Sequence, residues 1–300
     1  KCYLVINMQK QWEIMMRIDI DFDSKKTAFV QGIAVLMMLS LHLFHYPQWI
    51  DCSQVWYGIL INKNIEHITG EFGVLCINIF CFLSGYGWNI KYGERNFTIK
   101  HIIKIYIGYW LCLISTITII GALKAKPILS VNMKVNYLFE FLGFTQNISF
   151  FSWYVIFYVV AIILFPIVSR YINDIKKLLI GIIISFILHI AIWKMSNNIY
   201  INSTIYLILN KTTLYFPTIL VGAFFQKKSY MNKMMKSKSK WLSTKTAIVF
   251  ILVTYGGYVA CNYFLHQQKI ALFLFTGITP FFIVSLLEIG NLIDIQIIRN

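Results

Sequence analysis

Residues 151–169 read FSWYVIFYVVAIILFPIVS, a run of 19 residues that contains no charged side chain. A helix rises about 1.5 Å per residue, so a run of this length is sufficient to cross a hydrocarbon core of about 30 Å. The apolar residues are continuous and do not alternate with polar ones, which favours a helix over a strand of a membrane barrel. The stretch is therefore predicted to be one transmembrane helix.

Similar apolar blocks recur along the rest of the chain. Of its 300 residues, 58% are hydrophobic and only 13% are charged, whereas an ordinary soluble domain carries about 25% charged residues. We predict eight spans, at residues 28–46, 70–90, 105–123, 151–169, 178–195, 203–225, 247–266 and 270–290. The predicted fold class is an all-α polytopic membrane protein, a bundle of about eight transmembrane helices. Residues 1–26 are predicted to form a cytoplasmic tail, and residues 27–300 a single transmembrane domain.

The distribution of Lys and Arg predicts the orientation of these spans. If the N-terminus is cytoplasmic, 20 of the 27 basic residues lie in the cytoplasmic tails and loops. Lys and Arg are retained on that side of a membrane, so we predict a cytoplasmic N-terminus. The same rule accounts for the net charge of +15, and nucleic acid is not expected as a partner. The basic segment 227–245 is predicted to be a surface loop against anionic lipid headgroups.

A few ionisable residues lie inside the predicted spans, where such groups are costly and mark function. His42 and His45 are three positions apart and share one face of the first helix. A partly desolvated imidazole can give or take a proton near neutral pH, and two histidines are too few ligands for a metal site. Lys211 is the most unusual intramembrane charge; it either stabilises a developing negative charge or extends to the interface. Three further residues are interpreted as structural groups near an interface: Glu71, His189 and Glu288.

Five apolar motifs in order along residues 25–225 resemble a known membrane family. They are QGIAVLMMLSLHLFHY at 31–46, IFCFLSGYG at 79–87, KHIIKIYIGYW at 100–110, WYVIFYVVAIILFP at 153–166 and LYFPTILVGAF at 214–224. Together they resemble the integral-membrane acyltransferase-three family, which comprises O-acyltransferases that modify bacterial surface polysaccharides. That family begins with a basic residue, followed after ten intervening positions by a His. Gln31 and His42 have this spacing.

The resemblance implies a membrane O-acyltransferase in the bacterial plasma membrane. An acyl group, expected to be acetyl, would pass from cytoplasmic acetyl-CoA as co-substrate to a hydroxyl of a surface polysaccharide or lipid-linked glycan. His42 would act as general base or acyl relay. Residues expected to bind the donor are Gln31, Arg95, Lys100 and Lys104. Residues expected to bind the acceptor or line the channel are His45, Ser84, Trp153, Tyr154 and Lys211.

Two departures from the family pattern leave alternatives open. Gln31 replaces the family's basic residue, which raises the alternative of a catalytically degenerate membrane subunit. The family continues into further spans, one bearing Ser and His, so this chain is expected to be a fragment or to lack the last helices of the fold. The main alternative of another class is a transporter or flippase for a lipid-linked glycan. That alternative predicts polar residues spread through several helices.

Overall fold

The structure is a computed structural model that describes residues 22–44, 59–60, 63–122, 137–144, 152–196, 203–241, 243–264 and 268–299. Its helices are α1 (Ser24–Phe44), α2 (Ile65–Phe72), α3 (Cys76–Lys91), α4 (Phe97–Ala122), α5 (Tyr137–Phe141), α6 (Ser152–Tyr171), α7 (Ile175–Ser196), α8 (Ser203–Lys227), α9 (Tyr230–Trp241), α10 (Thr244–Val259) and α11 (Gln268–Arg299). A 3₁₀ turn, Gly73–Leu75, joins α2 to α3, and a π-helical turn, Ala260–Phe264, continues α10. Two short strands, β1 (Ile59–Leu60) and β2 (Lys63–Asn64), pair antiparallel, with Ile59 opposite Asn64.

Within the described residues, eight helical segments are long and apolar enough to cross a membrane. They are Ser24–Phe44, His67–Lys91, Phe97–Ile119, Ser152–Tyr171, Ile175–Met195, Ile205–Lys227, Thr244–Phe264 and Gln268–Asn291. The predicted all-α fold of eight spans is confirmed. A prolyl ring occurs within α8 at Pro217 without ending the helix. The division into a tail and one domain stays a prediction, and residues 1–21 lie outside the described part of the chain.

The spans differ in the share of their residues that other parts of the protein bury. Only 11% of the most apolar window of the first span is buried, against 67% of that of the second. The exposed faces carry Leu, Ile and Val, as expected of side chains that contact lipid. In lipid there is little hydrophobic drive between helices, so association relies on close packing and on polar contacts.

The chain divides into two compact units, and unit 1 comprises residues 1–89 and 221–300. Glycines allow its helices to approach at backbone distance. A Cβ on Gly222 of α8 would overlap the carbonyl oxygen of Phe82 on α3 and lie 3.0 Å from the backbone nitrogen of Tyr86. A hydrogen bond connects the residue Phe22 to α9: the Phe22 backbone N–H donates to the side-chain oxygen of Asn232 at 3.0 Å.

Unit 2 comprises residues 90–220. Here three aromatic side chains of α4 donate hydrogen bonds to carbonyls near the end of the short helix α5. They are Tyr106 to Leu142 at 3.0 Å, Tyr109 to Glu140 at 2.6 Å and Trp110 to Phe141 at 3.0 Å. The last carbonyls of a helix have no partner within it, so these bonds satisfy groups that would be costly to leave unpaired in an apolar setting. The aromatic residues of the motif at 100–110 thus anchor α5.

Two sequence predictions need correction. The basic segment 227–245 is not a loop over its whole length, because α9 forms within it. Lys and Met are good helix formers, and Met231 and Met235, one turn apart, are both buried. The third predicted span begins too late: its helix, α4, begins at Phe97, eight residues before the predicted start at residue 105, so Lys100 and Lys104 lie on its first two turns. Both side chains are exposed there.

Candidate active site

His42 lies in the last turn of α1, which packs against the 3₁₀ turn after α2. Gly73 of that turn faces α1 so closely that a Cβ there would overlap the Met37 carbonyl oxygen. The same Cβ would lie 3.1 Å from the backbone nitrogen of Leu41. Leu41 immediately precedes His42, so the glycine holds the backbone of the histidine-bearing turn. The His42 side chain is half-buried. His45, its predicted partner, lies outside the described residues.

His67 on α2 contacts the same end of α1. Its Nδ1 lies 3.2 Å from the backbone carbonyl oxygen of Phe44, and its Nε2 lies 3.5 Å from Oε1 of Glu71. A carbonyl oxygen only accepts, so the Nδ1 contact is a hydrogen bond only if Nδ1 carries a proton. Nε2 and Glu71 then attract each other if a second proton lies between them, as in an imidazolium–carboxylate pair.

Glu71 is buried, with only 7% of its surface exposed, and is surrounded by donors from the other end of the chain. Asn262 Nδ2 donates to Glu71 Oε2 at 2.8 Å, and the Tyr263 hydroxyl donates to the same oxygen. The Tyr258 hydroxyl donates to the Glu71 backbone carbonyl at 3.0 Å. We call His67, Glu71, Tyr258, Asn262 and Tyr263 the Glu71 cluster.

The sequence analysis interpreted Glu71 as a structural group near an interface and did not predict its burial, and the other members of the cluster were missed. Two signals were present. His67 and Glu71 are four positions apart and so share a helix face. Asn262 and Tyr263 are adjacent polar residues at the end of an apolar span. Nothing in the sequence connected them to a residue 191 positions away.

The remaining predicted residues of unit 1 lie on α1 and α3. Gln31 is exposed on α1. Eleven residues make about three helical turns, so Gln31 and His42 share a face and lie about 16 Å apart along the helix axis. Ser84 is half-buried on α3. The structure does not test a role for either residue.

In unit 2 the structure brings Lys211 and Trp153 together. The Lys211 ammonium lies 4.5 Å from the centre of the Trp153 ring and 5.9 Å from that of Tyr215. The two rings are stacked, with centroids 6.2 Å apart. Tyr154 meets the edge of Trp153 at 5.8 Å. Lys211 belongs to the span Ile205–Lys227, so its charge lies within the first two turns of that span and beside aromatic faces that stabilise a cation.

The turn between α3 and α4 carries the predicted donor-binding residue Arg95, which is exposed. Near it is a cavity of about 510 Å³, lined by Tyr92, Gly93, Glu94, Asn96, Phe97, Thr98, Ile99, Pro166 and Arg170. Arg170 Nε donates to the Tyr92 hydroxyl at 2.7 Å, a bond that leaves the rest of the guanidinium for other acceptors. Arg170 is not among the residues that the sequence predicted for this place.

Within the described residues, no three His, Cys, Asp or Glu side chains come together as a metal site. The expectation that no metal is used stays a prediction. The Glu71 cluster instead combines an imidazole, a buried carboxylate, an amide and two phenols.

A comparison with protein families matches residues 28–299 to the family described as Acyltransferase domain. The match covers more than half of the chain. The chain belongs to the acyltransferase-three family. A comparison with curated proteins and a comparison with solved structures each found no match. As a member of this family with eight apolar helices, the chain is a multi-pass membrane acyltransferase.

Proposed function

We propose that the protein moves an acyl group, acetyl in the simplest case, from cytoplasmic acetyl-CoA to a hydroxyl of an extracytoplasmic glycan. The observation that carries the proposal is the position of His42. It is a half-buried imidazole on a turn held by the backbone of Gly73, and the predicted topology directs this end of α1 outward. A general base at the outer end of the span suits a glycan hydroxyl that lies outside the membrane.

The proposed chemistry is acyl transfer to oxygen. His42 takes the proton of the acceptor hydroxyl while the hydroxyl oxygen forms a bond to the acyl carbonyl carbon. The carbon–sulfur bond of the thioester breaks, and the CoA thiolate leaves and takes up a proton. In the relay form of the proposal, the imidazole nitrogen first bonds to the acyl carbon and releases CoA, and the hydroxyl then displaces the imidazole.

Basic residues support a cytoplasmic site for the donor. Arg95, Lys100 and Lys104 surround the start of α4, and Arg170 lines the nearby cavity. CoA carries several phosphate charges. Arg offers a planar, bidentate fork to phosphate, and Lys a point charge. We assign these residues to the phosphates of the donor, and Gln31 on α1 to its acyl end.

For the acceptor we assign Trp153, Tyr154 and Lys211, and His45 and Ser84 keep their predicted assignment to the acceptor path. Stacked aromatic faces pack well against the apolar face of a sugar ring, and the Lys211 ammonium suits an anionic group on the glycan or its lipid carrier. Substrate sites commonly combine apolar walls with a few polar groups in this way.

The direct test is His42→Ala in cells that lack the endogenous copy, followed by measurement of ester-linked acetate on the surface glycan. General-base help contributes about 10²- to 10⁴-fold, so the ester is expected to fall to background. The matched control is His189→Gln, which alters a buried histidine that contacts Thr213 in unit 2. Wild-type ester levels in His42→Ala would rule out the assigned role of His42.

Two alternatives are separated by donor chemistry. A glycan transporter would change the amount of glycan at the surface without transferring label from [¹⁴C]acetyl-CoA. A degenerate subunit would transfer none, and Gln31→Arg would then restore transfer by returning the basic residue of the family pattern. Label on the glycan in the wild-type protein excludes both.

A further inference from the structure

Two contacts hold the end of α1 that carries His42. On one side, Gly73 meets the backbone at Leu41, the residue before His42. On the other side, His67 Nδ1 lies 3.2 Å from the carbonyl oxygen of Phe44, two residues after it. The histidine is thus bracketed by two anchors within four residues. The first anchor is backbone packing, whereas the second depends on charged and polar side chains.

We propose that the His67–Glu71 pair, supported by Asn262 and Tyr263, positions the turn that carries His42 for acyl transfer. The inference rests on the proposed role of His42. Glu71 orients the His67 ring through Nε2, and the ring in turn holds the Phe44 carbonyl through Nδ1. This chain of contacts resembles the carboxylate–histidine arrangement by which enzymes set the orientation of a ring.

The polarity of the pair matches its place. The last carbonyls of a helix have no partner within it and accept from donors outside it, which suits His67 Nδ1 beside the Phe44 carbonyl at the end of α1. Glu71 lies at the other ring nitrogen, and the amide of Asn262 and the hydroxyl of Tyr263 satisfy its second carboxylate oxygen. Removing the carboxylate would leave the His67 ring without this orienting partner.

The Glu71 cluster buries ionisable groups in a membrane span at a cost in free energy, which argues for a role beyond stabilising the fold. A buried ion pair contributes little net stability compared with apolar side chains of the same volume. Ionisable groups within membrane spans are rare and usually serve function. Asn262 and Tyr263 also reach Glu71 from a π-helical turn, Ala260–Phe264, an irregularity that is frequent at functional sites. A purely structural tie between α2 and α10 would need none of these features.

The test measures transfer in membrane vesicles from cells that express each variant, with [¹⁴C]acetyl-CoA at varied concentration and the vesicles' own glycan as acceptor. Rates are normalised to folded protein, measured as the monodisperse fraction in detergent. Glu71→Gln keeps the shape of the side chain and removes its charge. A misplaced catalytic group costs on the order of 10²-fold, so we expect the maximal rate to fall by about 10- to 100-fold, with the KM for acetyl-CoA unchanged.

Companion variants separate positioning from folding. His67→Gln should lower the maximal rate as Glu71→Gln does. The double variant should fall no further, because both substitutions break one chain of contacts. Tyr263→Phe keeps the ring, removes one donor to Glu71 and should give a smaller loss. Thr69→Val changes the residue between His67 and Glu71, removes only a 3.4 Å contact with Tyr255 and should retain the wild-type rate.

The outcomes distinguish this inference from the proposed function. If His42→Ala abolishes transfer but Glu71→Gln retains the wild-type maximal rate per folded protein, the positioning role is wrong and the proposed function stands. A rate lost equally in Thr69→Val, or lost in Glu71→Gln but kept in His67→Gln, overturns the inference as well. If His42→Ala itself keeps wild-type transfer, the role of His42 fails, and the positioning role fails with it.

Discussion

The imidazole Nε2 of His67 lies 3.5 Å from the carboxylate of Glu71, one turn along α2, in a span where charged pairs are expensive. Their thermodynamic coupling can be measured apart from activity. Glu71→Leu removes the carboxylate from the donors Asn262 and Tyr263 and from the Nε2 of His67, and leaving buried polar groups unsatisfied costs about 1–3 kcal/mol. We expect the double variant His67→Leu/Glu71→Leu to unfold at a higher temperature in detergent than Glu71→Leu alone.

An exposed pair provides the comparison for that experiment. Lys177 and Asp174 lie 3.8 Å apart with about half of each side chain exposed. Solvated pairs of this kind are worth about 0–1 kcal/mol, so Lys177→Met should barely change the unfolding temperature. If Glu71→Leu is as mild as Lys177→Met, the Glu71 carboxylate is not held as the structure describes.

The close approach at Gly222 gives a second prediction. A Cβ at this position would overlap the backbone carbonyl of Phe82, and backbone cannot move aside as a flexible side chain can. Gly222→Ala should therefore lower the free energy of unfolding by about 1–3 kcal/mol, as overpacking does. Gly277 of α11 meets nothing within 4 Å, so Gly277→Ala should be neutral or stabilising by up to about 1 kcal/mol. Equal effects of the two substitutions would contradict this packing.

A third prediction concerns the anchoring of α5. The Tyr109 hydroxyl donates to the Glu140 carbonyl at 2.6 Å, and both groups are buried. Tyr109→Phe removes this donor, while the carbonyl keeps the bond from the Gly143 N–H at 2.9 Å, so the free energy of unfolding should fall by about 0.5–1.5 kcal/mol in thermal or denaturant unfolding. Ser115→Ala on the same helix removes only an exposed bond to the carbonyl one turn before it, so little change is expected.

The contact between Lys211 and Trp153 gives a fourth prediction. A cation over a desolvated indole ring contributes about 2 kcal/mol, and the Lys211 ammonium lies 4.5 Å from the ring centre. A double-mutant cycle with Lys211→Met and Trp153→Leu should return a coupling energy of about 1–2 kcal/mol. Lys211→Arg keeps the cation and should retain most of that coupling. A coupling near zero would mean that the lysine does not lie over the ring.

The orientation of the spans is a fifth prediction, and the direction of transfer depends on it. In a cysteine-free background, Glu94→Cys lies in the turn between α3 and α4, which is predicted to be cytoplasmic. Leu138→Cys lies in α5, on the predicted outer side, and position 138 is exposed. A membrane-impermeant maleimide added to intact cells should label position 138 and not position 94. The reverse pattern would invert the proposed path from donor to acceptor.

The spans could be predicted from the sequence because hydropathy and length are local properties of each segment. The run at 151–169, for example, is long enough to cross a bilayer whatever surrounds it. The spacing of Gln31 and His42 likewise puts both on one helix face through the regular geometry of the helix. The boundaries were less accurate, since Lys100 and Lys104 proved to lie on α4, where helix propensity continues beyond the apolar block.

The candidate site was only partly predictable, because its contacts join distant parts of the chain. His42 and Lys211 stood out in the sequence as polar residues in apolar spans. Glu71 gave the same signal, but its burial and its contacts could not be predicted, because its donors Asn262 and Tyr263 are supplied by a turn far along the chain.

The sequence alone determined that the chain is a multi-span helical membrane protein, since an apolar run must form a helix in lipid to satisfy its own backbone, and its motifs indicated the acyltransferase-three family. Only the tertiary structure decided which polar groups meet: His67 with the Phe44 carbonyl, Glu71 with Asn262, and Lys211 with Trp153. Such pairings depend on helix packing, which glycines such as Gly73 permit at backbone distance and which no local pattern specifies.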